Sequence, residues 1–274
     1  MRTKKLSALF LTLIILFSSF FSGLNVSANE EIEFSQEDEE IVVQSTESEA
    51  SEYTISGIAI TPGRNESELN FAWYSPKDPE ATVVQFATKT EMTGDEFPVE
   101  AASTYTGTAT DAVAGFSSNK VTVTDLVPNE QYVYRLGDGN EENWSPVYDF
   151  QTHSTEGGFD FLMFGDPQIG AGNVTADTIG WNKTVTTAVR EFPNANFLVS
   201  VGDQVEVATN ERHYDGYFTP EPLKNYAVAT VQGNHDNSIN YQYHFNTPNH
   251  KPEYISTVAG GITTILTEIH YLWL

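Results

Sequence analysis

The sequence YAVATVQGNHD, which spans residues 226–236, decides the fold, because an apolar, β-rich run stops abruptly at glycine and three polar side chains follow. Residues 197–203, FLVSVGD, and residues 159–168, FDFLMFGDPQ, have the same design. Short runs of apolar and β-branched residues that are bounded by glycine or proline are typical of buried strands. The three stretches therefore predict three strands, each of which ends in a polar turn.

A helical pattern lies between the predicted strands at residues 159–168 and 197–203. Residues 176–191 repeat apolar side chains at the spacing of an amphipathic helix. The predicted apolar face consists of Ile179, Val185, Ala188, Val189 and Phe192. Strand, helix and strand in succession indicate a parallel sheet, because two parallel strands need a crossover connection between them.

The polar turns are expected to meet, because the carboxyl ends of parallel strands share one edge of the sheet, where ligands bind. That edge would carry Asp166, Gln168, Asp203, Asn234 and His235. Carboxylate and amide oxygens, together with imidazole, are ligands of hard or borderline divalent metals. The sequence therefore predicts a metal site at this edge.

Residues 1–28 have the parts of a secretory signal peptide. A basic stretch opens them, residues 6–21 are apolar, and Val26, Ser27 and Ala28 supply the small residues of a cleavage site. The apolar stretch is shorter than the ~20 residues that a membrane-spanning helix needs. We therefore predict a secreted or cell-surface protein, with an uncleaved anchor as the alternative. The sequence contains no cysteine, so this export would proceed without disulfides.

Residues 29–52 are rich in glutamate and serine and poor in apolar side chains, which predicts an acidic, disordered segment. The whole sequence has 38 acidic against 13 basic residues, a formal net charge of −25. This charge argues against nucleic-acid binding, which needs lysine and arginine to neutralise phosphates. No membrane partner is expected after cleavage of the signal peptide.

Residues 53–152 predict a separate all-β sandwich. Leu69, Phe71 and Trp73 alternate with less apolar residues, the pattern of a strand with one buried face. Similar short runs recur between proline- and glycine-containing turns, as in two-sheet sandwiches. The sequence LVPNEQY, residues 126–132, resembles the tyrosine corner of fibronectin type III-like domains, and Trp73 resembles their buried tryptophan. A polar hinge then leads to residue 158.

The strand-end residues carry a more specific resemblance. Asp166, Gly202-Asp203 and the sequence GNHD at residues 233–236 resemble, in this order, the first three blocks of the calcineurin-like metallophosphoesterases. With a sandwich in front, the layout is similar to that of the purple acid phosphatases. The resemblance implies an N-terminal all-β sandwich followed by an incomplete α/β metallophosphoesterase domain, a β-sheet with helices, at residues 158–274.

The resemblance also implies roles for these residues. Two divalent or trivalent metal ions, of iron, zinc or manganese, would be bridged by Asp203, with Asp166 on the first ion and Asn234 on the second. His235 would not bind metal but would stabilise charge on the ester and protonate the leaving alkoxide. Asp236 would orient the His235 ring.

Two positions depart from the family pattern. Many relatives have histidine two residues after the first aspartate, where this sequence has Gln168. Purple acid phosphatases have tyrosine three residues after the bridging aspartate, where this sequence has Glu206, which argues against a purple iron site. Either residue could complete the first metal site, and Gln168 is favoured because it is closer to the strand that ends at Asp166.

The later histidine blocks of the family, a lone histidine and then Gly-His-x-His, do not follow before Leu274. His244 and His250 come too early to replace them, so each is expected at the surface or beside substrate, and His213 is expected in a loop. A C-terminally truncated chain with an exposed strand edge is therefore expected. Reading the final stretch in another frame suggests a frameshift near residue 260 or 261.

Three functions remain open from the sequence. The favoured one is a secreted metal-dependent phosphoesterase, an acid phosphatase-like hydrolase of phosphomonoesters, whose partner is a phosphate ester. The second is an inactive, truncated remnant of such an enzyme. The third is a surface-binding sandwich with a non-catalytic scaffold behind it.

Overall fold

The structure, a computed structural model, describes residues 53–154 and 156–248. These residues belong to one compact unit. The predicted signal peptide, the predicted acidic segment, His250 and the proposed frameshift region lie outside the described residues. In the part of the chain that is described, no helix is long and apolar enough to cross a membrane.

The first part is the predicted sandwich of two antiparallel sheets. One sheet contains, in spatial order, β1 (Ser56–Pro62), β2 (Leu69–Pro76), β6 (Phe116–Val123) and β5 (Thr108–Asp111). The other contains β4 (Ser103–Thr106), β3 (Val83–Thr88), β7 (Gln131–Gly137) and β8 (Tyr148–Gln151). Short 3-10 turns occur at Lys89–Glu91 and Val99–Ala101. Every strand pair in both sheets is antiparallel.

The sandwich core forms where the alternating pattern placed it. Phe71 and Trp73 are fully buried between the sheets, together with Tyr134 from β7. The predicted tyrosine corner is also present, since the Tyr132 hydroxyl accepts a hydrogen bond of 2.9 Å from the Val127 N–H. The sequence pattern was therefore sufficient to predict this core.

The expectation of a single buried face on β2 is wrong. Asn70, Ala72 and Tyr74 point away from the sandwich core and are buried as well. Ala72 belongs to the core of the second part of the chain, as does Ala59 on β1. The outer face of this sheet is buried because the second part of the chain packs on it, a contact that local periodicity does not reveal.

The second part is built on a parallel sheet, as the strand–helix–strand order predicted. Its strands are β9 (Phe161–Phe164), β10 (Phe197–Ser200) and β11 (Val228–Thr230), in the spatial order β11-β10-β9. Leu198 pairs with Leu162 on one side and Val228 on the other, both in parallel register. The helices are α1 (Val174–Glu191), α2 (Glu211–Tyr217) and α3 (Ile239–His244), with a 3-10 turn at Glu221–Lys224.

Only part of the apolar face predicted for helix α1 is buried: Val185 is fully buried and Val189 packs against the core of the second part, as expected. Trp181 and Val185 are its buried residues, whereas Ile179 and Phe192 are 64% and 62% exposed. The Trp181 indole stacks on Tyr217 at 5.5 Å between ring centroids, and its N–H donates to the Tyr217 carbonyl at 2.8 Å. The packing of the large Trp181 ring against α2 determines which side of α1 faces the core. The spacing of the smaller apolar side chains does not predict this orientation.

The other face of the parallel sheet is partly exposed. Phe161 and Met163 on the edge strand β9 are 47% and 65% exposed. Phe161 stacks on Phe197 of β10 at 5.4 Å between ring centroids, which covers part of this face. Among the described strands, β9 thus lies at an edge of the sheet and has apolar side chains in solvent.

Candidate metal centre

Three polar turns lie side by side at the carboxyl edge of the parallel sheet. The Val201 N–H donates to the Phe164 carbonyl at 2.9 Å, which joins the ends of β9 and β10. The Val231 N–H donates to the Ser200 carbonyl at 2.9 Å, which joins the ends of β10 and β11. These two bonds extend the sheet into the turns and bring the predicted site residues to one edge.

The backbone of this edge is strained. Asp166, Gln168 and Asp203 have φ values of 45°, 41° and 47°, in the left-handed region that residues other than glycine seldom adopt. Each such residue costs about 1–3 kcal/mol, and strained residues of this kind cluster at functional sites. Three of them on one sheet edge make this edge a candidate functional site.

Glycine is required at Gly233 by the closeness of the neighbouring turn. A Cβ atom there would lie 2.1 Å from Asp203 Oδ1 and 2.4 Å from the Asp203 nitrogen. A Cβ atom on Gly202 would approach the Gly233 backbone to 3.0 Å. The turns after β10 and β11 are thus in direct backbone contact, and Asp203 lies between them.

We expect Gly233→Ala to displace Asp203 and to lower the melting temperature, because a Cβ atom cannot fit against the neighbouring backbone. The matched variant is Gly165→Ala at the same edge, where the nearest atom to an added Cβ atom is Val201 Cγ2 at 3.4 Å. Thermal melts of both variants check the prediction. Equal melting temperatures would contradict the close approach.

Asp203 is the residue that links all three turns. Its carbonyl oxygen accepts from the Gln168 N–H at 2.8 Å, and its Oδ1 accepts from the His235 N–H at 2.8 Å. The other carboxylate oxygen, Oδ2, has no hydrogen-bond partner among the described residues. Asp166 and Asn234, with exposed side chains, lie in the turns on either side of Asp203.

Asp236 has a different position from the one the resemblance implied. It is fully buried, and its carboxylate accepts from the N–H groups of Gly233 at 2.9 Å and of Gln204 and Val205 at 3.3 Å each. Burial raises the pKa of Asp236 to about 6, and the three backbone hydrogen bonds oppose that effect. The carboxylate thus fastens the GNHD turn to the turn after β10, and it does not hold the His235 ring.

The His235 ring is held by Glu206 instead. Nδ1 of His235 lies 2.9 Å from the Glu206 carbonyl oxygen and 3.5 Å from Glu206 Oε2. Because a carbonyl oxygen only accepts, Nδ1 carries a proton, and Nε2 is the atom available to another group. The hydrogen bond to the Glu206 carbonyl raises the pKa of His235; partial burial opposes this effect, and the carboxylates of Glu206 and Asp203 reinforce it.

Glu206 also contacts Gln168. The Gln168 amide Nε2 donates to Glu206 Oε2 at 2.8 Å. The amide oxygen of Gln168 takes no part in this hydrogen bond. The two residues meet because their loops run in parallel: the Glu206 N–H donates to the Ile169 carbonyl at 3.0 Å, and Ile169 forms a bridge with Val205. Gln168 and Glu206 are thus neighbours in one cluster and not competitors at separate places.

Two histidines that were expected in loops or at the surface are buried. His213 lies on α2, 5% exposed, and its Nδ1 accepts from the Val207 N–H at 3.3 Å. His244 lies on α3, 2% exposed, with Nε2 2.8 Å from Glu211 Oε2. Both expectations are wrong, because long-range packing buries these rings. Neither His213 nor His244 is among the residues that meet at the strand-end edge.

The donor chemistry of the edge fits a cation bound through oxygen. Two carboxylates, Asp166 and Asp203, and the amide oxygens of Gln168 and Asn234 are ligands that hard divalent cations accept. Within residues 53–154 and 156–248, no group of three or more histidine, cysteine, aspartate or glutamate side chains is arranged to hold a metal ion. The site thus offers carboxylates from Asp166 and Asp203 and amide oxygens from Gln168 and Asn234, and the Glu206 carboxylate lies beside Gln168.

Comparison with known proteins finds a family that is similar to the sandwich. Residues 55–152 match the family described as "Purple acid Phosphatase, N-terminal domain". Among solved structures, the chain is similar to purple acid phosphatase PPD1 from yellow lupin (Lupinus luteus) seeds, with a TM-score of 0.54 and 15% sequence identity. That similarity covers 73% of this chain and 42% of the lupin protein. No curated protein matches the sequence.

Smaller similarities involve single domains. The sensor domain of the anti-sigma factor RsgI4 of Pseudobacteroides cellulosolvens aligns with a TM-score of 0.25 and 12% identity, over 37% of this chain and 90% of that domain. A computer-redesigned β-sandwich protein aligns with a TM-score of 0.24 and 23% identity, over 35% and 90% of the two chains. The match of residues 55–152 makes the sandwich similar to the N-terminal domain of the purple acid phosphatases. The fold of the chain is similar to part of the lupin enzyme.

Proposed function

We propose that the strand-end edge is the site of a secreted, metal-dependent phosphoesterase that hydrolyses phosphomonoesters. The observation that carries the proposal is the convergence of Asp166, Asp203 and the GNHD turn on one strained edge, with Asp203 bonded to both neighbouring turns. The purple acid phosphatase-like sandwich and the fold shared with the lupin enzyme support the same assignment. The predicted signal peptide supports secretion.

The proposed ligands are Asp166 and the amide oxygen of Gln168 for one ion and Asn234 for the other, with Asp203 shared between them. Ions held there would neutralise the charge of the phosphoryl group and acidify a water nucleophile. Asp203 suits the shared position, because its Oδ1 is already fixed by the His235 N–H while Oδ2 remains available. Iron, zinc and manganese remain the candidate metals.

His235 is the proposed general acid. With Nδ1 bonded to the Glu206 carbonyl, Nε2 of a protonated ring can donate to the leaving oxygen of the ester. The raised pKa of His235 extends the pH range in which the ring is protonated. Glu206 fixes the orientation of the ring, the role that the resemblance gave to Asp236.

We expect His235→Ala to slow hydrolysis of an alkyl phosphate by about 10²–10⁴-fold, the usual contribution of a general acid. An aryl phosphate with a good leaving group needs little protonation, so its hydrolysis should change far less. Steady-state rates on the two substrates check this result. Equal losses on both would contradict the role of a general acid.

The pH dependence provides a control on the same residue. The rate on the alkyl phosphate should fall as the pH rises through the pKa of His235, because the proton donor is lost. Glu206→Gln removes one carboxylate that raises this pKa, so the fall should begin at lower pH in that variant. An unchanged profile would show that the Glu206 carboxylate does not act on His235.

An inactive remnant remains the alternative, favoured by the lack of a group of three acidic or histidine ligands among the described residues. Titration of the metal-free protein with Zn²⁺, Mn²⁺ or Fe²⁺, followed by an assay with an aryl phosphate, separates the two proposals. Metal-dependent turnover supports the enzyme. Absence of both metal binding and turnover supports the remnant.

A further inference from the structure

The outer face of the β1–β2–β6 sheet is bonded to helix α3 and the residues that follow it. The Ser118 hydroxyl donates to the Tyr243 carbonyl at 2.6 Å, and the Thr61 hydroxyl donates to the Asn246 carbonyl at 2.6 Å. The Asn246 amide donates in turn to the carbonyls of Phe71 and Val121 at 3.3 Å each. Helix α3 is thus fixed to the sandwich by side chains that bond to backbone.

His244 connects this helix to α2. Its buried ring stacks on Tyr74 of the sandwich at 4.5 Å and lies 4.0 Å from the Tyr214 ring of α2, between centroids. Its Nε2 is 2.8 Å from Glu211 Oε2, and the other oxygen of Glu211 accepts from Asn240 of α3. One ring therefore contacts the sandwich on one side and α2 on the other.

The His244 ring fits this place in its neutral form. Nε2–H donates to the Glu211 carboxylate, while Nδ1 has no hydrogen-bond partner among the described residues. A Cβ atom at Gly57 would lie 3.3 Å from Nδ1, so β1 closes that side of the ring. Burial lowers the pKa of His244, in agreement with a neutral ring whose single proton is used by Glu211.

The opposite side of α2 supports the loops of the candidate metal centre. Nδ1 of His213 accepts from the Val207 N–H, and a Cβ atom on Gly170 would lie 2.2 Å from the His213 ring. A Cβ atom on Gly216 would lie 2.8 Å from Ile169 Cγ2, so the helix backbone also contacts the Gln168 loop. The position of α2 therefore determines where the loops of Gln168 and Glu206 can lie.

We propose that His244 is a positioning residue through which the sandwich holds α2, and with it the Gln168 and Glu206 loops, in place. The sandwich would then be a structural part of the site and not an independent attachment module. The effect on loop geometry does not depend on catalysis. Only its consequence for turnover rests on the proposed function.

Hydrogen exchange of the metal-free protein tests the proposal at three amides of the two loops: Ile169, Glu206 and Val207. His244→Phe keeps an aromatic ring between Tyr74 and Tyr214 but removes the bond to Glu211. We expect exchange at these amides to accelerate at least about tenfold, because local opening exposes them. Amides of β3, in the far sheet of the sandwich, should be unchanged.

Two further variants control this experiment. Glu211→Gln keeps one oxygen, which can accept from His244 Nε2–H or from the Asn240 amide but not from both, so exchange at the three loop amides should accelerate less than in His244→Phe. Gln242→Ala changes a half-buried side chain of the same helix that makes no hydrogen bond to α2 among the described residues, and it should have no effect.

Tyr74→Ala removes the sandwich ring that stacks on His244 and changes neither loop. It tests the proposal if His244→Phe does not fold. It should accelerate exchange at the same three amides. Unchanged exchange there in a folded His244→Phe or Tyr74→Ala protein would overturn the proposal. So would acceleration of equal size at the β3 amides, since that result means global destabilisation. Loss of turnover without loop opening would likewise count against it.

Discussion

Asp203→Asn is expected to abolish phosphate-ester hydrolysis and to weaken metal binding. The asparagine keeps an oxygen for the His235 N–H and leaves the backbone bond to Gln168 intact, so the fold should persist. What it loses is the negative charge that two cations would share. We expect turnover to fall at least about 10³-fold, because removing even one preorganised electrostatic group costs about 10²–10³-fold.

The measurement pairs metal titration calorimetry with an aryl phosphate assay on the unchanged protein and the variant. Asp111→Asn is the matched control, since it removes the same charge from an exposed carboxylate that pairs with Lys77 at 3.3 Å. That control should bind metal and turn over normally. Retained turnover in Asp203→Asn would remove the shared-carboxylate assignment, and an unchanged melting temperature would confirm that the loss is chemical.

The convergence at the strand ends could be predicted because it follows from topology. Once FLVSVGD and YAVATVQGNHD are identified as neighbouring parallel strands, their turns must meet at one edge. The sandwich core was predictable for a similar reason, because the alternation around Trp73 has the period of a strand. In both cases the prediction needs only a few consecutive residues and one rule of chain geometry.

Contacts between distant side chains could not be predicted in this way. Gln168 and Glu206 are 38 residues apart, and nothing local indicates that the amide of one donates to the carboxylate of the other. The burial of His213 and His244 depends on α2 and α3, which pack on elements far away in the sequence. Polar residues in short helices predict surface positions, and tertiary packing overrides that prediction here.

The role of the aspartate after His235 illustrates the same limit within a motif. Adjacent residues on a tight turn point in different directions, so Asp236 enters the interior while His235 faces the edge. The buried Asp236 carboxylate accepts hydrogen bonds from three N–H groups of two turns. The His235 ring bonds instead to the Glu206 carbonyl oxygen. The motif predicted that these residues come together at one edge, whereas the contacts of each side chain required the structure.

The second large effect concerns the stability of the sandwich. Trp73 is fully buried in the core between the two sheets, so Trp73→Ala removes a large ring that no neighbour can replace. We expect the free energy of unfolding to fall by about 3–5 kcal/mol, as for other buried aromatic rings. Chemical denaturation of the unchanged protein and the variant, with the same m-value, measures this difference.

Trp73→Phe separates the packing of the ring from its polarity. The indole N–H of Trp73 has no hydrogen-bond partner in the described part of the chain, so phenylalanine removes a buried donor without breaking a bond. This variant should therefore lose much less stability than Trp73→Ala, and Val99→Ala, at a side chain that is 50% exposed, should lose almost none. A loss in Trp73→Phe as large as that in Trp73→Ala would mean that the indole nitrogen, and not the volume of the ring, stabilises the sandwich.

Strand β2 contributes one face to the core of the sandwich and the other face to the core of the second part. We therefore expect the loss of stability in Trp73→Ala to affect both parts, so that residues 53–154 and 156–248 unfold in one transition.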